Sequence, residues 1–448
     1  MTDSRVAVYL GVIVLVGLAL RVIAWLLTAP TMLVNDEFSY YSGAATLLKT
    51  GDLGLIRPPM TSILDAFAIH LFGPSKFVVR GTGVLFGTFT VALMYPVTAQ
   101  IGGRRAGLIA AAITAVYPTL IGYTHYILSE SYFLVFFLAA IYFALRLRRS
   151  FSPWTAGLTG IFCGLSALTR EVGLICTIAI ALAVVSAAWA HRQHLRRAVA
   201  SAALVVALAA IVIAPWSLYL HEKTGDIALV SRTTWMNLYL GNTPAGTNAT
   251  LRSIRQYWIL GSTQTERESA ARAEALQAIS DRLPAWPFEK LRGIKALFWP
   301  SSYPAKRLLS LPHVNGASRG EWSYRFTWPR LHSTACRRAM AYPIGVSYVL
   351  VALAGMIGLT ISRSRDARFL LFLVASLIAP VLLTFPSTRF RLPIECLFIV
   401  GTGLLLARGT RDWKRAHAGQ RIAAIVALAT TAAIIAAGSN AFMSRFHL

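Results

Sequence analysis

The chain has 448 residues, of which 56% are hydrophobic and 14% charged, with a formal net charge of +25. A soluble domain carries about 45–50% apolar and about 25% charged residues, so the composition excludes an ordinary soluble protein and points to a membrane-embedded one. Nucleic acid, which such a charge would suit in a soluble protein, is excluded as a partner because the basic residues sit in short connections between apolar blocks.

Eleven apolar blocks reach or approach the about 17–25 residues that cross the hydrocarbon layer: Val6–Leu27, Val78–Ile101, Ala106–Ile121, Leu128–Leu145, Trp154–Leu168, Val172–Ala190, Ala198–Leu220, Ala341–Ile361, Phe369–Phe385, Leu392–Ala407 and Ile422–Ala441. The expected fold is an all-α polytopic membrane protein of about 11 (10–13) transmembrane helices. The amino terminus, MTDSR, runs straight into the first block without a small-residue cleavage site, so that block reads as a retained helix. Three segments follow: 1–220, an N-terminal transmembrane module; 221–340, an outer loop region; and 341–448, the C-terminal helices.

With the amino terminus in the cytoplasm, Arg104/Arg105, Arg146/Arg148/Arg149, Arg192/Arg196/Arg197, Arg363/Arg365/Arg368 and the stretch from Arg408 to Arg421 all fall inside. Basic inner loops are what the positive-inside rule requires. The expected location is therefore a plasma membrane, the inner membrane in a bacterium, with the long loops facing the periplasm or exterior.

The first long loop, 28–77, opens with the acidic pair Asp36-Glu37. Such a pair close to the membrane surface can keep one carboxylate poised as a general base, or the Asp can simply cap a helix. Arg57-Pro58-Pro59 follows, where two prolines hold a guanidinium at a fixed place, suited to phosphate oxygens or to a plain turn. Ile63, Phe67 and Leu71 then recur at helical spacing, so interfacial amphipathic helices are expected in this loop.

Further along, Glu130 begins the fourth block from outside, Arg170 and Glu171 occupy the next outer hairpin, and Arg389, Arg391 and Glu395 stand at the start of the tenth. Arg21 and Arg80 lie at the same level. Arginines near helix ends often snorkel, but a shared depth for both signs fits a polar cavity open to the outer leaflet, rimmed by Asp36, Arg57, Glu130, Glu171, Arg389 and Arg391. The second long loop, 221–340, carries 17 Lys/Arg against 8 Asp/Glu. Its charge suits anionic lipid headgroups, a phosphorylated acceptor, or merely a solvated basic face. Cys163, Cys176 and Cys396 lie inside blocks and Cys336 in a loop, with neither metal nor disulfide spacing. Asn248-Ala249-Thr250 is a formal sequon of chance character.

Four of these features occur in the order found in one family: Asp36-Glu37; Arg57-Pro58-Pro59; YPTLIGYTHYILSESYF with Glu130, followed by LTRE at 168–171; and TRFRLPIE at 388–395. Together they resemble the GT-C membrane glycosyltransferases, in the branch of protein O-mannosyltransferases and lipid A aminoarabinose transferases. The resemblance implies a GT-C fold and transfer of a sugar from a polyprenyl-phosphate donor to a lipid, glycan or protein acceptor. It makes Asp36 the catalytic base and Arg57 the contact to the lipid-linked phosphate; beside it, the charge needed at the departing oxygens makes Arg389 and Arg391 further candidate phosphate binders, with Glu37 next to the base. Glu130 joins Asp36 around a divalent metal, Mg or Mn, or around the acceptor, with Arg170, Glu171 and Glu395 in support. Relatives often carry Lys or His where this chain has Arg57, and many have more helices or a soluble outer domain. The competing readings are a lipid-linked glycan ligase or polymerase and a lipid or sugar transporter; the charge-poor middle of the blocks speaks against the transporter.

Overall fold

A computed structural model describes residues 2–27, 33, 36–188, 194–243, 251–302, 304 and 334–446. The described residues form helices and no strands: α1 (Asp3–Leu27), α2 (Asp36–Thr50), α3 (Met60–Phe72), α4 (Lys76–Gly102), α5 (Arg104–Val116), α6 (Pro118–Tyr123), α7 (Ser129–Ser150), α8 (Pro153–Thr169), α9 (Val172–Ala188), α10 (Leu195–Thr224), α11 (Thr234–Asn242), α12 (Leu251–Trp258), α13 (Gln264–Ser280), α14 (Trp286–Leu297), α15 (Thr334–Ile361), α16 (Arg365–Leu383), α17 (Leu392–Arg415) and α18 (Ala418–Phe446). Every apolar block falls on a helix, and seven of these helices are long and apolar enough to cross a membrane. The protein is an integral membrane protein.

Two expectations change. The block Ala106–Ile121 is split into α5 and α6, because Pro118 bars the α conformation at Tyr117, which is extended (φ −69°, ψ 112°). The backbone at Cys336 belongs to α15, not to a loop. The sequon at Asn248 lies outside the described residues.

Helix α17 lies at the centre. It packs on α15, α5 and α4, and its residues from Leu392 to Leu404 are all buried. Glycine permits the tightest of these contacts: a Cβ at Gly358 would stand 1.9 Å from the Gly401 carbonyl oxygen, and one at Gly401 would stand 2.1 Å from that of Gly355. Close backbone approach of this kind supplies packing between membrane helices, where water offers no hydrophobic drive.

The first long loop folds, as expected, into two helices. On α3 one face, Thr61, Ser62, Asp65, Ala66 and Ile69, is buried, while Ile63, Phe67 and Leu71 point away from the protein, Phe67 with 63% of its surface exposed. An outward apolar stripe on a short helix fits a position along the membrane surface. The second long loop forms a small helical unit in which α11 packs on α13 around Tyr239, Leu240, Tyr257, Ala271 and Ala275. Helix α13 begins with a capping box in which the Thr263 side chain accepts from the Glu266 N–H and Glu266 reaches back to the Thr263 N–H.

Candidate functional site

The two long loops meet over the end of the bundle where α7 and α17 begin and α8 ends. The Ile56 carbonyl accepts from the Arg232 N–H at 3.0 Å, joining the first loop to the second beside Arg57. One turn of α2 places Asp36, Ser39 and Tyr40 together: Arg57 Nε donates to Ser39 Oγ at 3.2 Å, and its guanidinium lies 5.4 Å from the Tyr40 ring centre. The prolines that follow Arg57 lead into α3, with Pro59 as its N-cap.

Five side chains predicted from the sequence converge here. Arg57 donates to Asp36 Oδ1 at 2.5 Å, and Arg389 donates through NH1 to Asp36 Oδ2. The same Arg389 donates through Nε and, at 3.2 Å, through NH2 to the two oxygens of Glu130. Arg170 lies 2.8 Å from Glu130 Oε1 and donates to Ser129 Oγ at 2.9 Å. Arg57 and Asp36 keep 30% and 22% of their side-chain surface exposed, so the cluster opens outward, whereas Glu130 at its floor is 2% exposed. Burial pushes the Asp36 carboxyl up, but Arg389 and Arg57 overturn that effect and hold it well below the usual carboxylate range.

Other predicted residues stand apart. Glu37, next to Asp36 in sequence, is fully buried, accepting from Arg80 NH2 at 3.1 Å and from the Ile127 N–H at 3.0 Å. It ties α2 to α4 and to the segment before α7. Glu171 accepts from Thr233 Oγ1 at 3.0 Å and from Ser231 Oγ, so it holds the second loop while its neighbour Arg170 holds Glu130.

Arg391 and Glu395 are corrected. Their pair, Nε to Oε1 at 2.6 Å, is closed off from the cluster, at 0% and 1% exposure. Arg391 also donates to the carbonyls of Leu297 (3.0 Å) and Ser301 (2.6 Å) and lies 3.5 Å from the Tyr348 ring centre, while Glu395 accepts from Tyr117 OH at 2.6 Å. Arg391 therefore anchors the end of α14 and cannot reach a phosphate at the cluster. Arg21 likewise spends its guanidinium on the carbonyls of Gly17, Thr114 and Ala115, bracing the break between α5 and α6.

Sequence reasoning missed Asp65. Its buried carboxyl on α3 accepts from Tyr132 OH at Oδ1, and Oδ2 has no partner among the described residues. Burial pushes it up to about 8. The polar position within the buried face of an amphipathic helix was the available signal. Ser231 and Thr233 carried no signal of their own.

Among the described residues, this arrangement forms no divalent-metal site. Mg or Mn needs several oxygen ligands with free lone pairs, and no group of three His, Cys, Asp or Glu side chains gathers among the described residues. Arg389 fills the place between Asp36 and Glu130 that a bridging cation would take.

Residues 56–219, which include Arg57, Glu130 and Arg170, match the family described as dolichyl-phosphate-mannose-protein mannosyltransferase. No curated protein sequence matches. Among solved structures, the oligosaccharyltransferase AglB of Archaeoglobus fulgidus, in complex with an inhibitory peptide and a dolichol-phosphate, superposes over 96% of this chain and 55% of its own, with a TM-score of 0.52 at 14% identity. The chain has the GT-C fold. An AglB structure in complex with Zn and sulfate gives 0.52 at 16% identity over 96% of this chain and 53% of its own. ArnT from Cupriavidus metallidurans bound to undecaprenyl phosphate gives 0.44 at 14% identity, over 92% and 79%. The chain thus spans about half the length of the AglB chains it matches, and in it Asp36, Arg57, Glu130, Arg170 and Arg389 form one network from α2 to the start of α17.

Proposed function

We propose that the chain is a glycosyltransferase that takes a sugar from a polyprenyl-phosphate donor and gives it to a lipid, glycan or protein acceptor on the outer face of the plasma membrane, the inner membrane in a bacterium. The amino terminus is cytoplasmic in this reading, and the cluster opens to the periplasm or exterior. The observation that carries it is the partly open network of Asp36, Glu130, Arg57, Arg170 and Arg389. The match of 56–219 to a dolichyl-phosphate-mannose-dependent family supports the same donor class.

The acceptor hydroxyl oxygen attacks the anomeric carbon as the bond from that carbon to the phosphate oxygen breaks. Asp36 takes the hydroxyl proton, and the bonding pair leaves with the polyprenyl phosphate. Arg57 and Arg389 neutralise the departing oxygens, which need no acid because a phosphate is a stable anion near neutral pH. A single displacement inverts the anomeric centre. Glu130 and Arg170 position Arg389. Purified protein in liposomes with radiolabelled polyprenyl-phosphate sugars tests the reading: label passing to an acceptor or to water is expected. Label that crosses the bilayer still attached to its lipid would replace it with transport.

A further inference from the structure

Arg389 meets two carboxylates with different parts of one guanidinium. Nε and NH2 grip both oxygens of Glu130, while NH1 alone goes to Asp36. Glu130 is itself fixed by Arg170 at 2.8 Å. The planar guanidinium therefore has one edge gripped by Glu130 and its remaining nitrogen on Asp36. Asp36 has no such anchor: each oxygen accepts from one arginine, Oδ1 from Arg57 and Oδ2 from Arg389.

A carboxylate whose two oxygens both accept from guanidinium groups is a weak proton acceptor, as the low position of the Asp36 carboxyl shows. Yet these are the two arginines that the reading above assigns to the donor phosphate. One N–H cannot serve a carboxylate and a phosphate oxygen with full strength at once.

Resting on that reading, we infer that the donor's phosphate switches the base on: it takes the place of Asp36 on NH1 of Arg389 and NH2 of Arg57, and Asp36 is freed for the acceptor hydroxyl only when the donor is in place. Glu130 keeps Arg389 in position throughout the exchange and is a positioning residue. Charge favours the exchange. Three arginines, Arg57, Arg170 and Arg389, face two carboxylates, Asp36 and Glu130, an excess of one positive charge that matches the single negative charge of a phosphodiester. When the polyprenyl phosphate leaves, the arginines return to Asp36 and expel the proton it took, which resets the base. Donor therefore adds before acceptor.

The exchange predicts that Asp36 and the phosphate compete for the same donors, so loss of the base should tighten the lipid. The test titrates undecaprenyl methyl phosphate, a diester with one permanent charge and no sugar, into the protein in phosphatidylcholine nanodiscs. Asp36→Asn should bind it about tenfold more tightly than the wild type, the scale of one charge-assisted hydrogen bond. Arg57→Gln, Arg389→Gln and Glu130→Gln should all bind it more weakly. Wild-type affinity should rise as the pH falls from about 7 to about 4, because Asp36, low while the arginines hold it, returns to the ordinary carboxylate range once the phosphate has taken them and so gains a proton in the complex, and the Asp36→Asn profile should be flat. Weakened arginine variants together with an Asp36→Asn affinity equal to or below that of the wild type would overturn the switch and leave the phosphate site standing. Unchanged affinity in both arginine variants would overturn the phosphate site itself. If Asp36→Asn fails to fold, a flat wild-type pH profile alone overturns the switch.

Discussion

Arg389 and Arg391 are separated by one residue at the start of α17, and both meet a carboxylate, but the two pairs differ in what else holds them. Arg391 adds backbone carbonyls of the second loop and an aromatic face, and is sealed. Arg389 bonds the carboxylates of Glu130 and Asp36 and remains 17% exposed. An ion pair tied into backbone carbonyls is part of the scaffold, since removing one partner strands a buried charge. A pair made between side chains at an opening can trade partners with a ligand. Depth alone does not separate the two; the second set of contacts does.

The sharpest way to break this contrast is at the open cluster. Asp36→Asn should leave the protein folded and cut transfer by roughly a hundredfold to ten-thousandfold, the usual contribution of a general base. Turnover of labelled polyprenyl-phosphate sugar by the reconstituted variant checks it, and near-normal rates would remove Asp36 from its role. At the sealed pair the loss should be in stability instead. Arg391→Ala strands Glu395 and should cost about 3–5 kcal/mol, seen as a lower unfolding midpoint in detergent. Arg389→Ala should fall well short of that, because Glu130 keeps Arg170.

Both arginines were legible as charges at the mouth of the tenth apolar block, and so were Asp36, Arg57, Glu130 and Arg170. Hydropathy gives the depth of a residue in a spanning helix and says nothing of its direction around the axis. Arg389 lies in the turn before α17 and faces the cluster; Arg391, as the N-cap, faces the chain between α14 and α15. For the same reason Glu37 could not be told from Asp36 by position, although adjacent residues of a helix point about 100° apart. The apolar blocks were legible because bilayer thickness fixes their length, and the break at Tyr117 was readable from Pro118. Asp65 escaped because an acidic residue on an interfacial helix normally faces water.

A smaller effect would sharpen the contrast within the open cluster. Arg57→Lys keeps the charge and loses the fork, so donor KM should rise modestly, while Arg57→Ala should raise it roughly ten- to a hundredfold with acceptor KM unchanged. Weakened acceptor binding with unchanged donor KM would move Arg57 to the acceptor side.

Asp65 offers the mildest test, of a sealed carboxyl whose hydrogen-bond donor is a tyrosine hydroxyl. Its folded-state value, about 8, lies above the ordinary aspartate range. The folded state therefore holds the proton more tightly, and stability is highest below about pH 4 for this group and is lost as the pH rises through about 8. Asp65→Asn should remove that slope, so that the variant's unfolding midpoint relative to the wild type is higher at pH 9 than at pH 6. Parallel midpoints at both pH values would mean that Asp65 is ionised in the folded protein.

The bond between Arg389 and Asp36 joins residues 353 positions apart. A ribosome adding about 5–20 residues each second reaches Arg389 roughly 20–70 s after Asp36 has been made. From the synthesis of Glu130 onward the nascent chain carries Asp36, Arg57 and Glu130 without the guanidinium that links the two carboxylates. Premature termination anywhere before α17 thus yields membrane fragments with an unassembled catalytic mouth, and two separately expressed pieces divided within 305–333 would have to find each other in the bilayer before either could act.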